Sequence, residues 1–184
     1  RHAARVALEK QPVKNWKKRL AQENNPVIAS AAMIGLARAD AQSCASILQK
    51  AMTFKYGDLK DRQQRLDLLR SITLALTRGG QPEKKLKSQL TGWLDRIYPA
   101  DTPEENRDLS AIMQFLQAPS AVTKGLALLR GASGQEEQIG YALNLRHLKT
   151  GWTSLQRETY FKWFVRSGNF KGGARLSNYL DGIK

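Results

Sequence analysis

Apolar residues recur at three- and four-residue steps along most of this chain, which is the spacing of one buried helix face. The pattern is plainest at Leu66, Leu69, Ile72 and Leu76. Similar stripes follow one another, and they begin near Pro26, Ser43, Leu66, Leu86, Leu109, Val122, Ile139, Tyr160 and Leu176. No stretch alternates apolar and polar residues with β-branched enrichment, so we expect no sheet. The sequence therefore predicts an all-α protein of about nine helices.

Polar capping residues mark the starts of four of these helices, at Asn25, Thr102, Ser133 and Thr153. A side-chain oxygen at such a position accepts from the N–H groups of the first helical turn. After the last three caps, a Glu or Gln three residues on is placed to complete a capping box. The pair Gly79-Gly80 predicts a helix end with a positive φ angle.

The helices group into pairs with a loose period. Pairs begin near Pro26, Lys60, Pro103 and Gly134, a spacing of roughly 30–45 residues that matches two-helix repeats of the HEAT and armadillo type. Each amphipathic hairpin needs a neighbour to cover its apolar face. We therefore expect residues 1–184 to form a single domain, a HEAT/armadillo-like α-solenoid of stacked helical hairpins. An irregular all-α bundle remains the alternative.

Positive charge is concentrated in the first part of the chain. The formal net charge is +14, and residues 1–100 hold 19 Lys/Arg against 8 Asp/Glu, a net +11. Two clusters combine cations with a tryptophan, and they are Lys14, Lys17, Lys18 and Arg19 around Trp16, and Lys84, Lys85 and Lys87 ahead of Trp93. Such cations bind acidic partners or phosphates, and an exposed aromatic ring stacks on a base. We expect Trp93 to be buried, because it shares a stripe with Leu90 and Leu94. The alternative interpretation is that the positive charge only keeps the protein soluble and binds no partner.

Residues suited to catalysis are few. The single cysteine, Cys44, excludes an internal disulfide, and its small apolar neighbours predict a buried structural thiol. His147 has no carboxylate partner within a helical turn, and the only other histidine is His2 near the terminus. No phosphate-binding loop or metal-binding motif occurs. We therefore expect no enzyme activity, no cofactor and no metal site. No apolar run approaches the roughly 20 residues of a membrane span, so we expect no membrane insertion.

Several motifs between residues 106 and 173 occur in one order. They are Asn106-Arg107-Asp108-Leu109, Phe115-Leu116-Gln117-Ala118-Pro119, Gln135-Glu136-Glu137-Gln138-Ile139, Leu145-Arg146-His147-Leu148-Lys149-Thr150-Gly151-Trp152-Thr153, then Arg157, Tyr160, Phe161, Trp163-Phe164 and Gly172-Gly173. Together they resemble the helical-repeat segment of very large exported proteins of planctomycetes and related bacteria. In that family, HEAT-like helices precede a cytochrome c module with a CxxCH haem site. The resemblance covers roughly residues 100–184, and the preceding residues are similar only as generic HEAT-like helices.

The resemblance implies a connecting scaffold in a periplasmic or exported protein. This chain has no CxxCH, so the resemblance carries over no haem ligand. The missing initiator Met leads us to expect a fragment of a larger protein. Our leading hypothesis is a non-catalytic scaffold and protein-interaction module that binds a partner protein or adjacent domains of the parent chain. A basic nucleic-acid-binding protein and a docking surface for an acidic redox partner are the alternatives. Beside the basic clusters, Trp152, Tyr160 and Trp163 form a candidate aromatic surface.

Overall fold

The computed structural model describes residues 2–173 and 175–183, and every regular element in these residues is helical. The prediction of an all-α fold is confirmed. The described residues form eleven α-helices and three single-turn 3₁₀ helices, rather than about nine helices. The α-helices are α1 His2–Glu9, α2 Lys17–Gln22, α3 Pro26–Ala39, α4 Cys44–Met52, α5 Arg62–Gly79, α6 Lys84–Asp95, α7 Pro103–Phe115, α8 Ala121–Gly131, α9 Gln135–Arg146, α10 Ser154–Ser167 and α11 Leu176–Ile183.

The two helices beyond the expected nine, α1 and α2, precede Pro26. They have 8 and 6 residues, and such short segments are marginal as isolated helices. Packing on α3 stabilises both of them. The two helices meet at Gly35 of α3, where an added Cβ would be in ordinary contact, 3.6 Å from Cγ of Glu9. The stabilising contacts are tertiary, and a local apolar stripe does not reveal them.

The chain divides into two units, residues 1–97 and 98–184, close to the change in character expected at residue 100. In the first unit, α5 packs against α3 and α4, and α4 also contacts α6. The core between these helices includes Met33, Leu48, Leu69 and Ile72, each fully buried. Lys50 is also buried, and its Nζ donates to the carbonyl of Ala21 at 3.1 Å.

In the second unit, α9 packs against α7, α8 and α11, while α10 contacts α8. Leu109, Met113, Tyr141 and Trp163 are buried at its centre. The hydroxyl of Tyr160 donates to the carbonyl of Ala142 at 2.9 Å and so joins α10 to α9. This unit therefore combines an apolar core with polar links between helices.

The predicted helix starts at Asn25, Thr102 and Thr153 are confirmed. Each side-chain oxygen accepts from a backbone N–H of the first turn, and Thr153 forms a complete capping box with Gln156. The prediction for Ser133 is wrong, because α9 begins one residue later with Gly134 as its N-cap and no side-chain cap bond. At the end of α5, Gly80 has the predicted positive φ, at +77°.

The structure fixes the helical class but not the repeat architecture. Helices pack within each unit as described, and the solenoid and single-domain expectations stay predictions. Among residues 2–173 and 175–183, no helix has both the length and the apolar content needed to span a bilayer.

Candidate interaction surfaces

The first basic cluster lies on and just before α2. Lys14, Lys17, Lys18 and Arg19 are all exposed. Lys17 Nζ lies 3.6 Å from Oδ2 of Asp40. The hydroxyl of Ser43 hydrogen-bonds Asp40 and holds the pKa of that carboxyl below its ordinary value, with a smaller contribution from Lys17. The other three cations form no ion pair with a described residue.

The tryptophan of this cluster is not available to a ligand. Trp16 is only 7% exposed, and its Nε1 donates to the carbonyl of Gln11 at 3.4 Å. Leu20, one turn later, is buried as well. The two residues anchor α2, so the cations between them point to solvent. Trp16 therefore offers no exposed ring on which a base could stack, which weakens the nucleic-acid alternative for this cluster.

The second basic cluster begins α6. Lys84 and Lys85 are exposed, and Lys87 is half-buried. None of the three forms an ion pair with another described residue. The helix packs through Leu86, Leu90 and Leu94, all buried, against α4. Since α2 packs on α3, the two basic clusters lie on helices with different neighbours within the first unit.

Trp93 is half-buried, so the prediction of a buried core tryptophan is wrong. The buried face of α6 follows the four-residue step of Leu86, Leu90 and Leu94. Trp93 is rotated by about 100° from Leu94 around the helix, which places it at the edge of that face. Its ring meets the ring of Tyr56 edge-on, with the centroids 6.3 Å apart.

A groove of about 690 Å³ runs between α4 and α6 beside Trp93. It is largely open to solvent, so a ligand there would lie along the surface rather than inside an enclosed cleft. The lining residues are Gln49, Met52, Ser88, Gln89, Gly92, Trp93 and Arg96. Sequence reasoning missed this groove because it depends on which helices pair. The one local signal was the glycine inside the predicted helix.

The candidate aromatic surface of the second unit is wrong for two of its three members. Tyr160 and Trp163 are 7% and 1% exposed, because they face inward from α10. Trp163 donates from Nε1 to Oε1 of Gln138 at 2.9 Å. Trp152 is half-buried, its Nε1 donates to the carbonyl of Leu148, and the guanidinium of Arg157 lies over its ring. These aromatics stabilise the unit.

The outer face of α10 carries exposed apolar residues, and one of them, Phe161, belongs to the motifs that carry the resemblance. Leu155, Phe161 and Val165 are 72%, 57% and 79% exposed. Between them, Lys162 Nζ and Glu158 Oε1 form an ion pair at 2.7 Å. The helix is therefore aromatic on its inner face and apolar with one ion pair on its outer face.

Polar residues of the motifs that carry the resemblance form hydrogen bonds within the second unit. The side chain of Asn106 accepts from the N–H of Ala100 at 2.7 Å and donates to its carbonyl at 2.9 Å. Gln117 donates to the carbonyl of His147 and accepts from the N–H of Lys149, both at 2.9 Å. Gly151 has a φ of +86°. The groups that carry the resemblance are thus engaged in internal contacts.

The remaining candidates for chemistry are one thiol, one imidazole and two carboxylates. Cys44 is buried as predicted, and burial raises the pKa of its thiol. His147 is exposed, and its Nδ1 lies 2.8 Å from the carbonyl of Leu143. Glu136 and Glu137 lie in the first turn of α9, where a helix dipole favours carboxylates. Within residues 2–173 and 175–183, no group of three or more His, Cys, Asp or Glu is arranged to hold a metal ion.

Comparison with protein-family models, curated proteins and solved structures gave no match to this chain. The resemblance drawn from the motifs of residues 106–173 therefore stays a hypothesis. The function has to be argued from the surfaces themselves.

Proposed function

We propose that this chain is a non-catalytic helical scaffold that binds an acidic protein, or an acidic neighbouring domain, through its first unit. The observation that carries the proposal is the unpaired charge of the two basic clusters, which are Lys14, Lys17, Lys18 and Arg19 in one and Lys84, Lys85 and Lys87 in the other. Six of these seven cations form no ion pair with a described residue. Six are exposed and Lys87 is half-buried.

Unpaired like charges cost the folded state some stability through mutual repulsion. A partner with complementary carboxylates would relieve that repulsion and would be steered toward the surface at low salt. The cations also have firm supports, since buried Leu20 anchors α2 and buried Leu86 and Leu90 anchor α6. Charges on anchored helices lose less conformational freedom on binding than charges on loose segments.

The scaffold part of the proposal rests on the second unit. There, Asn106, Gln117 and Tyr160 all bond backbone groups of neighbouring segments. Such links favour a unit that holds a fixed shape between other domains. We propose a HEAT/armadillo-like arrangement of the hairpins and, from the resemblance alone, a periplasmic or exported parent protein. Docking of an acidic redox partner is one form of the same function.

Nucleic-acid binding is the second candidate, and one observation favours it. Trp93 is partly exposed beside Arg96, on the helix that carries Lys84, Lys85 and Lys87. Proteins that bind single-stranded nucleic acids combine an aromatic ring, on which a base stacks, with cations that pair with the phosphates. The acidic-protein proposal ranks higher because the other tryptophan of the basic clusters, Trp16, is buried.

The test replaces Lys14, Lys17, Lys18 and Arg19 with Ser and measures binding to polyglutamate and to DNA over a salt series. The matched control replaces four exposed cations of the second unit, Arg130, Lys149, Arg166 and Lys171, with Ser. Both variants lose the same net charge, so only position differs. We expect the first variant to weaken polyglutamate binding about tenfold or more at low salt. Equal weakening by both variants, or binding that is insensitive to salt, would contradict the proposal. Preference for DNA would support the second candidate.

A further inference from the structure

A glycine, Gly92, is one of the residues that line the groove between α4 and α6, and it adds no side chain to that surface. A Cβ built on Gly92 would meet no atom within 4 Å, although the residue lies in the interior of α6. Glycine is less favourable than alanine inside a helix, and packing does not require it here. Its absent side chain leaves the space between Gln89 and Trp93 free. A larger residue would stabilise the helix and add a side chain to the groove.

The lining of the groove has the chemistry of a peptide-binding surface. The side chains of Gln49, Gln89 and Arg96 hydrogen-bond no other described residue, so their donors and acceptors remain open to a ligand. Glutamine amides present both a donor and an acceptor, which match the N–H and C=O groups of an extended backbone. Met52 and the half-buried Trp93 supply an apolar floor.

The lining of the groove carries one positive charge and no negative charge. None of the lining residues is acidic, and Arg96 offers a planar guanidinium suited to a carboxylate. Lys85 precedes Gln89 by one helical turn and so lies on the same face of α6. Lys85 lies near the start of α6 and Arg96 at its C-cap, with Gln89 and Trp93 between them along the helix. A ligand that fits has carboxylates flanking an apolar residue.

We propose that this groove binds an extended acidic peptide segment of a partner protein. Arg96 and Lys85 pair with its carboxylates, Trp93 and Met52 contact an apolar side chain, and Gln49 and Gln89 bond its backbone. The proposal rests on the proposed function, since the segment belongs to the acidic partner. A nucleic-acid strand ranks lower, because the open amides of Gln49 and Gln89 match the N–H and C=O groups of a peptide backbone, whereas only Arg96 and Lys85 lie on this face to pair with phosphates.

The experiment uses the full chain and a short fluorescein-labelled peptide of alternating Glu and Leu, followed by fluorescence anisotropy. The decisive variant is Gly92→Leu, which adds a side chain to the groove at a position where a Cβ meets no atom within 4 Å. Its matched control is Gly140→Leu in α9, where a Cβ also meets nothing within 4 Å. Arg96→Gln tests the carboxylate contact separately. Circular dichroism and urea titration check folding, and we expect Gly92→Leu to unfold at the same or a higher urea concentration.

We expect Gly92→Leu and Arg96→Gln each to weaken peptide binding about tenfold or more, and Gly140→Leu to leave it unchanged. The same peptide with Gln in place of Glu should bind weakly to all variants. No binding of the acidic peptide, or binding unaffected by Gly92→Leu, would overturn the inference. Oligothymidylate of the same length, bound more tightly than the peptide and lost in Gly92→Leu, would overturn it as well. Polyglutamate binding lost in the Lys14/Lys17/Lys18/Arg19 variant but retained in Gly92→Leu would leave the proposed function standing and reject only the groove.

Discussion

A methyl group added at Gly79 would collide with the start of α4. Gly79 is the last residue of α5, and a Cβ there would lie 2.3 Å from Cβ and 2.9 Å from Sγ of Cys44. The carbonyl oxygen of Ala41 would be 3.0 Å away. Unstrained carbon contacts are about 3.5–4.0 Å, so the two helix ends would have to separate by more than about 1 Å. Gly79 is therefore a packing requirement of the first unit.

The size of the effect follows from two opposing terms. Overpacking a well-filled site typically costs about 1–3 kcal/mol, and this contact is at the severe end because backbone-attached atoms collide. Replacing glycine by alanine in a helix recovers at most about 1 kcal/mol, and less at a helix end. We therefore expect Gly79→Ala to lower the free energy of unfolding by about 2 kcal/mol.

Urea denaturation followed by circular dichroism measures this change. The matched control is Gly131→Ala, because Gly131 is the last residue of α8 and a Cβ there meets nothing within 4 Å. It should be neutral or slightly stabilising. In a Cys44→Gly background, where the closest colliding atoms are absent, Gly79→Ala should cost at least about 1 kcal/mol less. A Gly79→Ala protein as stable as Gly131→Ala would refute the packing argument.

Two further predictions concern the second unit. Trp163→Ala should lower the free energy of unfolding by about 3–5 kcal/mol in urea titration, because Trp163 is buried. Trp152 is half-buried, so Trp152→Ala should lower it clearly less. Equal losses in the two variants would contradict the assigned core. Burial raises the pKa of Tyr160 to about 12 and those of Tyr98 and Tyr141 as well, so these phenols keep their protons in the folded state while the unfolded chain ionises near pH 10. Their contribution to stability is therefore complete below about pH 10 and is lost as the pH rises further. Alkaline unfolding of the wild type and of Tyr160→Phe measures this loss. Ionisation of these tyrosines in the still folded chain would contradict the prediction.

Local signals sufficed for much of the fold. Side-chain caps at Asn25, Thr102 and Thr153 act within one turn of their own residue, so the sequence reveals them. The predicted N-cap at Ser133 was wrong because Ser133 and Gly134 are both acceptable N-cap residues, and α9 begins after the glycine. The buried thiol of Cys44 was predictable from its small apolar neighbours.

The surfaces were harder to predict, because they depend on which face of a helix meets a neighbour. In α10, apolar and aromatic residues occur on every side, and the pattern does not say that Trp163 faces inward while Phe161 and Val165 face outward. Trp93 lies at the edge of the buried face of α6, so it lines the groove while the next residue, Leu94, is in the core. The groove itself requires the pairing of α4 with α6, which no local pattern encodes.

The buried ammonium of Lys50 connects the hydrophobic interior to the charged exterior of the first unit. Its bond to Ala21 satisfies one of the carbonyl groups that the short helix α2 leaves without a helical partner at its C-terminal end. The same helix presents Lys17, Lys18 and Arg19 to solvent. Their position thus depends on a residue that no partner can touch. Neutralising Lys50 would remove the hydrogen bond that holds the end of α2 and would make the exposed cations of that helix more mobile. Affinity for an acidic partner and local stability therefore both report on this one internal hydrogen bond.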